Sequence, residues 1–114
     1  MMSERVKRFK EEREKLNDII LNRDDINIKR FFGLDNAVYR DGALDVRTKE
    51  MLGLVTSLVL RCDDCITYHV IQLKDLGLSD EEFDEMISVP LLVGGSITIP
   101  HIRRAYQLWK EMEK

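Results

Sequence analysis

Four side chains able to do chemistry fall within twenty residues of one another: Glu50, Cys62, Cys65 and His69. In a reducing compartment a Cys-x-x-Cys pair reads as redox-active or metal-binding rather than as a permanent staple. Suppose the chain turns back near Arg61 and Cys62, so that the helices on either side pack antiparallel. Glu50 then lies about eleven residues behind the turn and His69 about seven or eight beyond it, an axial offset of roughly 6 Å at 1.5 Å per residue. A glutamate and an imidazole, with or without one water, bridge that gap. Cys62, Cys65 and His69 are spaced i, i+3, i+7, which sets them on one helix face, the face toward which Glu50 would project.

That spacing suits thiol chemistry. Cys62 falls at the N-cap of the second helix and Cys65 in its first turn, where free backbone N–H groups and the positive end of the dipole favour a thiolate, the form that attacks. His69, one turn beyond Cys65, is placed to take its proton, and Glu50 to orient and charge-balance the imidazole. Cys65 is therefore the expected nucleophile and Cys62 the resolving thiol. The reverse assignment stays open, because in other Cys-x-x-Cys proteins the first cysteine attacks. Asp63 and Asp64 work in both directions: they suit a helix N-terminus but raise the energy of a nearby thiolate. The same four residues also make a plausible zinc set of two thiolates, one imidazole and one carboxylate. Structural zinc usually joins distant ligand pairs in a chain that lacks a core, so the expectation is no metal and no cofactor.

The elements that must position these residues read as about six helices with almost no strand signal. From Ser3 to Leu21 the positions Val6, Phe9, Leu16, Ile19 and Ile20 form one apolar stripe, with oppositely charged i,i+4 pairs on the solvated side, as in an amphipathic docking helix. Asp24 or Asp25 caps a short helix through Ile28, Phe31 and Phe32 that stops at Gly33, and Asp35 opens another ending at Gly42. Asp45 caps a long helix, Val46 to Leu60, apolar nearly all round in its second half. A further helix runs from Asp63 to Leu76 and ends at Gly77. Ser79-Asp80-Glu81-Glu82 is a capping box for the next, which Pro90 and Gly94-Gly95 kink or end. Ser96 to Ile99 is a connecting loop, and Thr98-Ile99-Pro100 begins the last helix, carrying Ile102, Ala105, Tyr106, Leu108 and Trp109. The fold class is all-α, a single domain over residues 1–114, with N-terminal docking helices in 1–34 and a core in 35–113.

Glu-x(11)-Cys-x-x-Cys-x-x-x-His, followed by an apolar segment, a capped helix and a last amphipathic helix, resembles the carboxymuconolactone decarboxylase superfamily, in particular its AhpD-like alkylhydroperoxidase branch. The resemblance covers about residues 35–113, and Glu50, Cys62, Cys65 and His69 meet all four motif positions. It implies an all-α fold, a Cys pair that cycles between dithiol and disulfide, and a proton relay from the glutamate through the histidine. It also implies assembly as trimers or as hexamers built from three dimers. The name-giving decarboxylases lack the Cys pair, which argues against lactone decarboxylation. The founding peroxidase carries a histidine between its cysteines where Asp63-Asp64 stand here. The implied activity is reduction of a hydroperoxide or disulfide, with re-reduction by an external thiol donor. The rival class is a non-catalytic oligomeric helical module in which the cluster binds metal or merely packs.

Composition narrows the partners. The chain has 114 residues, 18 basic against 21 acidic, and a net charge of −3, which supplies no basic field for phosphate backbones and sets nucleic-acid binding aside. The longest apolar run, Leu52 to Leu60, is about half the ~20 residues a membrane span requires. The amino end has no apolar region of signal-peptide length, so a cytoplasmic location is expected. Met51, Leu52, Leu54, Val55, Leu58, Val59 and Leu60, with Ile66, Val70, Ile71, Leu73, Leu91, Leu92 and Val93, exceed what one small subunit is expected to cover, so a homo-oligomer is expected on burial grounds as well. Tyr68 points about 100° from His69 on a helix of 3.6 residues per turn and is left out of the mechanism. His101, Phe9, Phe31, Phe32, Tyr106 and Trp109 are expected at the surface, in the core or at subunit contacts.

Overall fold

The computed structural model describes residues 3–113, and over them the regular structure is all helical, with no strand. Six α-helices follow one another: α1 (Glu4–Leu21), α2 (Ile26–Val38), α3 (Val46–Leu60), α4 (Asp63–Asp75), α5 (Asp80–Gly94) and α6 (Ile99–Glu111), with a 3₁₀ turn at Ser96–Thr98 before the last. The caps are those the sequence announces. Asp25 accepts from the N–H groups of Asn27 and Ile28, Asp45 from that of Thr48, and Ser79 and Glu82 close a reciprocal capping box. Gly77 and Gly95, both at positive φ, let the chain leave α4 and α5.

One boundary is corrected. Gly33 does not stop a helix, and Asp35 opens none: α2 runs unbroken through both to Val38. Ending a helix at glycine needs the left-handed conformation, and Gly33 is not at positive φ. A glycine inside a helix costs only about 1 kcal/mol relative to alanine, which the following Leu34, Ala37 and Val38 tolerate. Pro90 likewise lies inside α5, which runs past it to Gly94.

The core is built where α3, α4, α5 and α6 meet. Leu54 and Leu58 of α3, Ile66, Val70, Ile71 and Leu73 of α4, Phe83 and Ile87 of α5, and Ala105, Leu108 and Trp109 of α6 are all buried. Phe83 stacks on Trp109 with ring centroids 4.1 Å apart, and the Trp109 indole N–H donates to Asp80 at the start of α5 over 2.7 Å. Val6 anchors the start of α1 to this core, with Phe9 packed beside it. Of the apolar residues expected to exceed what one chain covers, the packed helices of this chain cover Leu54, Leu58, Ile66, Val70, Ile71 and Leu73. Others of that set stay open, and so does Phe31 of α2. Leu60 is 71% exposed, Leu92 85% and Phe31 67%.

Candidate active site

The hairpin of α3 and α4 carries the site. Arg61 takes the left-handed conformation that reverses the chain, and Cys62 is the N-cap of α4, its sulfur accepting from the Cys65 N–H over 3.4 Å. The two sulfurs are paired, with Cα atoms 5.3 Å apart. Across the hairpin His69 Nδ1 meets Glu50 Oε2 at 2.7 Å, with both residues almost fully buried at 7% and 3% exposure. With Glu50 as carboxylate, Nδ1 carries the proton and donates it, which leaves the Nε2 lone pair free to act as a base.

No water intervenes, and the reason is a glycine. A Cβ built on Gly53 would come within 2.6 Å of His69 Cε1 and 2.8 Å of Nε2, so the imidazole lies directly on the α3 backbone. Gly53 is three residues beyond Glu50 and shares its face, so the helix that supplies the carboxylate also supplies the hollow for the ring. A glycine in an apolar helix interior is the signal that points to such close packing.

In front of the histidine lies a cavity of about 460 Å³ lined by Cys65, His69, Asp64, Tyr68 and Tyr39, and flanked on the other side by residues of α1. Cys62 is not among its lining residues, and Glu50 stands behind His69. The structure thus joins the predicted residues as two pairs, Glu50 with His69 and Cys62 with Cys65, and presents one member of each, His69 and Cys65, to a common space.

Tyr68 stands at the same cavity. Its ring centre is 5.4 Å from that of His69, edge to face, and it lines the cavity beneath Arg13, whose guanidinium lies 4.2 Å from its centroid. The angular offset within α4 is as expected, but the cavity is wide enough to be walled by neighbouring positions of one helix. Sequence reasoning also missed Tyr39 and Arg13, which reach the cavity from α2 and α1. Burial holds the phenols of Tyr39 and Tyr68 above their ordinary pKa, with the Glu50 charge adding to it.

The aspartates beside the cysteines take different positions. Asp63 turns to α6, where His101 Nδ1 lies 2.8 Å and Arg104 Nη2 3.0 Å from its carboxylate. The hydrogen bond to His101, and then those to Arg104, hold its pKa below the usual value. Asp64 faces the cavity. Among the described residues no group of three or more His, Cys, Asp or Glu is arranged to hold a metal ion, and no helix is long and apolar enough to cross a membrane.

The chain is similar to known proteins in sequence and in fold. A protein of Paracoccus denitrificans called uncharacterized protein 4 in cox locus is 30% identical over 83 residues, 73% of this chain and 75% of that one. Two crystal structures of one Thermotoga maritima protein superpose closely. The first gives a TM-score of 0.90 at 56% identity over 93% of both chains. The second, described as a carboxymuconolactone decarboxylase family protein with a possible involvement in antioxidative response, gives 0.88 at 54% identity over 92% of this chain and 89% of that one. A family protein from Legionella pneumophila in its apo form shares the fold at a TM-score of 0.85 and 23% identity, over 98% of this chain and 100% of that one. Residues 28–108 match the carboxymuconolactone decarboxylase family. The chain belongs to the carboxymuconolactone decarboxylase family.

Proposed function

We propose that the protein is a thiol oxidoreductase of the alkylhydroperoxidase kind, reducing a hydroperoxide or a disulfide with the Cys62/Cys65 dithiol. The observation that carries this reading is the buried 2.7 Å contact of His69 with Glu50, set beside a cavity that Cys65 lines. His69 Nε2 takes the proton of Cys65, and the Glu50 carboxylate stabilises the imidazolium that forms. The Cys65 thiolate attacks the distal oxygen of the hydroperoxide, the O–O bond breaks, and an alcohol leaves. Cys65 is then a sulfenic acid. The Cys62 thiol attacks that sulfur and expels water, forming the disulfide. An external thiol donor returns the two electrons. With a disulfide substrate, a mixed disulfide on Cys65 takes the place of the sulfenic acid and is resolved in the same way.

The antioxidative description of the Thermotoga maritima protein agrees with this chemistry. The test is hydroperoxide or disulfide consumption by the reduced protein, with thiols counted before and after one turnover. Loss of two thiols per chain and one equivalent of substrate is expected. A protein whose thiols are inert to both substrates, or that retains a metal on both sulfurs, would overturn the reading.

The same reading includes a cytoplasmic homo-oligomer, a hexamer or else a trimer. Leu52, Leu60, Leu92, Phe31 and Leu34 are exposed, and covering such apolar side chains against another copy of the chain would support the assembly. Light scattering at micromolar concentration tests it, and a monodisperse species near the 13.4 kDa of one chain would refute it.

A further inference from the structure

Tyr39 ends α2 at the edge of the cavity, and its backbone is clasped. Lys49 Nζ donates to the carbonyl oxygens on both sides of it, Val38 at 2.7 Å and Arg40 at 2.6 Å. Lys49 precedes Glu50 on α3, so the element that orients His69 also fixes Tyr39. The phenol then reaches over Gly53: the point where a Cβ on Gly53 would sit is 2.8 Å from the Tyr39 hydroxyl and 2.8 Å from His69 Nε2. The two polar atoms share one hollow, within the reach of a single bridging water. The Tyr106 hydroxyl donates to Asp84, whereas among the described residues no side chain accepts from the Tyr39 hydroxyl.

We propose that Tyr39 is a catalytic residue, the proton donor to the atom that leaves when Cys65 attacks its substrate. The proposal rests on the thiol-oxidoreductase reading above. In the first step the Cys65 proton passes to His69 Nε2. As the thiolate bonds to the distal oxygen of the hydroperoxide, the electron pair of the O–O bond goes to the departing alkoxide. Tyr39 gives its proton to that oxygen, and the phenolate is reprotonated from the His69 imidazolium through the shared hollow. The sum is Cys65 thiol plus hydroperoxide giving Cys65 sulfenic acid plus alcohol, with no proton drawn from bulk water. Burial, and then the negative charge of Glu50, keep the phenol protonated at neutral pH, so the proton is present when the alkoxide forms.

The test is a leaving-group comparison with the full chain carrying Tyr39→Phe. Rate constants for oxidation of the reduced protein are measured with cumene hydroperoxide, with a dialkyl disulfide and with an aromatic nitrobenzoate disulfide, whose thiolate leaves without a proton. The expected loss is on the order of 10²-fold for the hydroperoxide, smaller for the dialkyl disulfide and absent for the aromatic one, with the pH profile of Cys65 alkylation unchanged. Equal loss with all three, no loss with any, or the same pattern appearing in Tyr68→Phe in place of Tyr39→Phe would overturn the proposal. A parent protein that reacts only with disulfides still decides it, by the alkyl against aromatic contrast. A parent protein inert to all three would instead overturn the oxidoreductase reading itself, and this proposal with it.

Discussion

The α3/α4 hairpin and the α1/α2 arm are comparably rich in apolar residues, yet they fare oppositely. The hairpin buries Leu54, Leu58, Ile66, Val70, Ile71 and Leu73 together with Glu50 and His69, whereas α2 buries no residue and α1 buries only Val6. Leu16, Ile19, Ile20, Phe31 and Leu34 are left in water. Groups that exchange protons must be held to fractions of an ångström, and only interlocked packing does that. The arm has a looser task. It walls the cavity with Phe9, Arg13 and Tyr39, and it leaves apolar side chains exposed.

If the chemistry is concentrated in the hairpin, its removal has the largest effects. Cys65→Ser should abolish turnover, whereas Cys62→Ser should keep the first attack and accumulate a sulfenic acid with a hydroperoxide or a mixed disulfide with a disulfide substrate, which mass spectrometry reads directly. Accumulation on Cys62 in the Cys65→Ser protein would reverse the two roles. Next come the pair behind the thiol: His69→Ala and Glu50→Gln should each slow oxidation by ~10² to 10⁴ and raise the thiol pKa, measured by alkylation across pH. Full activity in both at neutral pH would contradict the relay.

The sharpest test of the contrast is one substitution made in each region. Gly53→Ala should displace His69, because the added carbon would stand 2.6 Å from the ring. It should lower both activity and Tm. Gly33→Ala has nothing within 4 Å and lies in a helix interior, so it should stabilise by about 0.4–1 kcal/mol in denaturant melts. Two effects of the same sign would show that the regions are not packed differently at these positions.

The smallest effect concerns acid. Glu82 is held at a pKa of about 2, against an ordinary 4.5, chiefly by the Ser79 backbone N–H and then by Arg47. Its folded pKa is below its unfolded one, so its contribution is present above the unfolded value and is lost as pH falls from about 4.5 toward 2. Glu82→Gln should therefore lessen the acid dependence of stability in that window. Unchanged acid curves for parent and variant would remove the box from the account.

Much of this was legible along the chain. The caps at Asp45 and Ser79 and the shared helix face of Cys62, Cys65 and His69 follow from rules that act over one or two helical turns, where spacing fixes geometry, whereas the turn near Arg61 and the antiparallel hairpin are compatible with that spacing without being required by it. The continuation of α2 through Gly33 did not follow, because a glycine permits a helix end without requiring one. Nor did the coverage of Ile66, Val70, Ile71 and Leu73 within one chain, which depends on how α5 and α6 close over the hairpin. The direct contact of His69 with Glu50, and the arrival of Tyr39 and Tyr68 at the same cavity, were decided by tertiary structure alone. Distances between side chains on different helices are set by how closely two backbones approach, and here the missing side chain of Gly53 sets that approach.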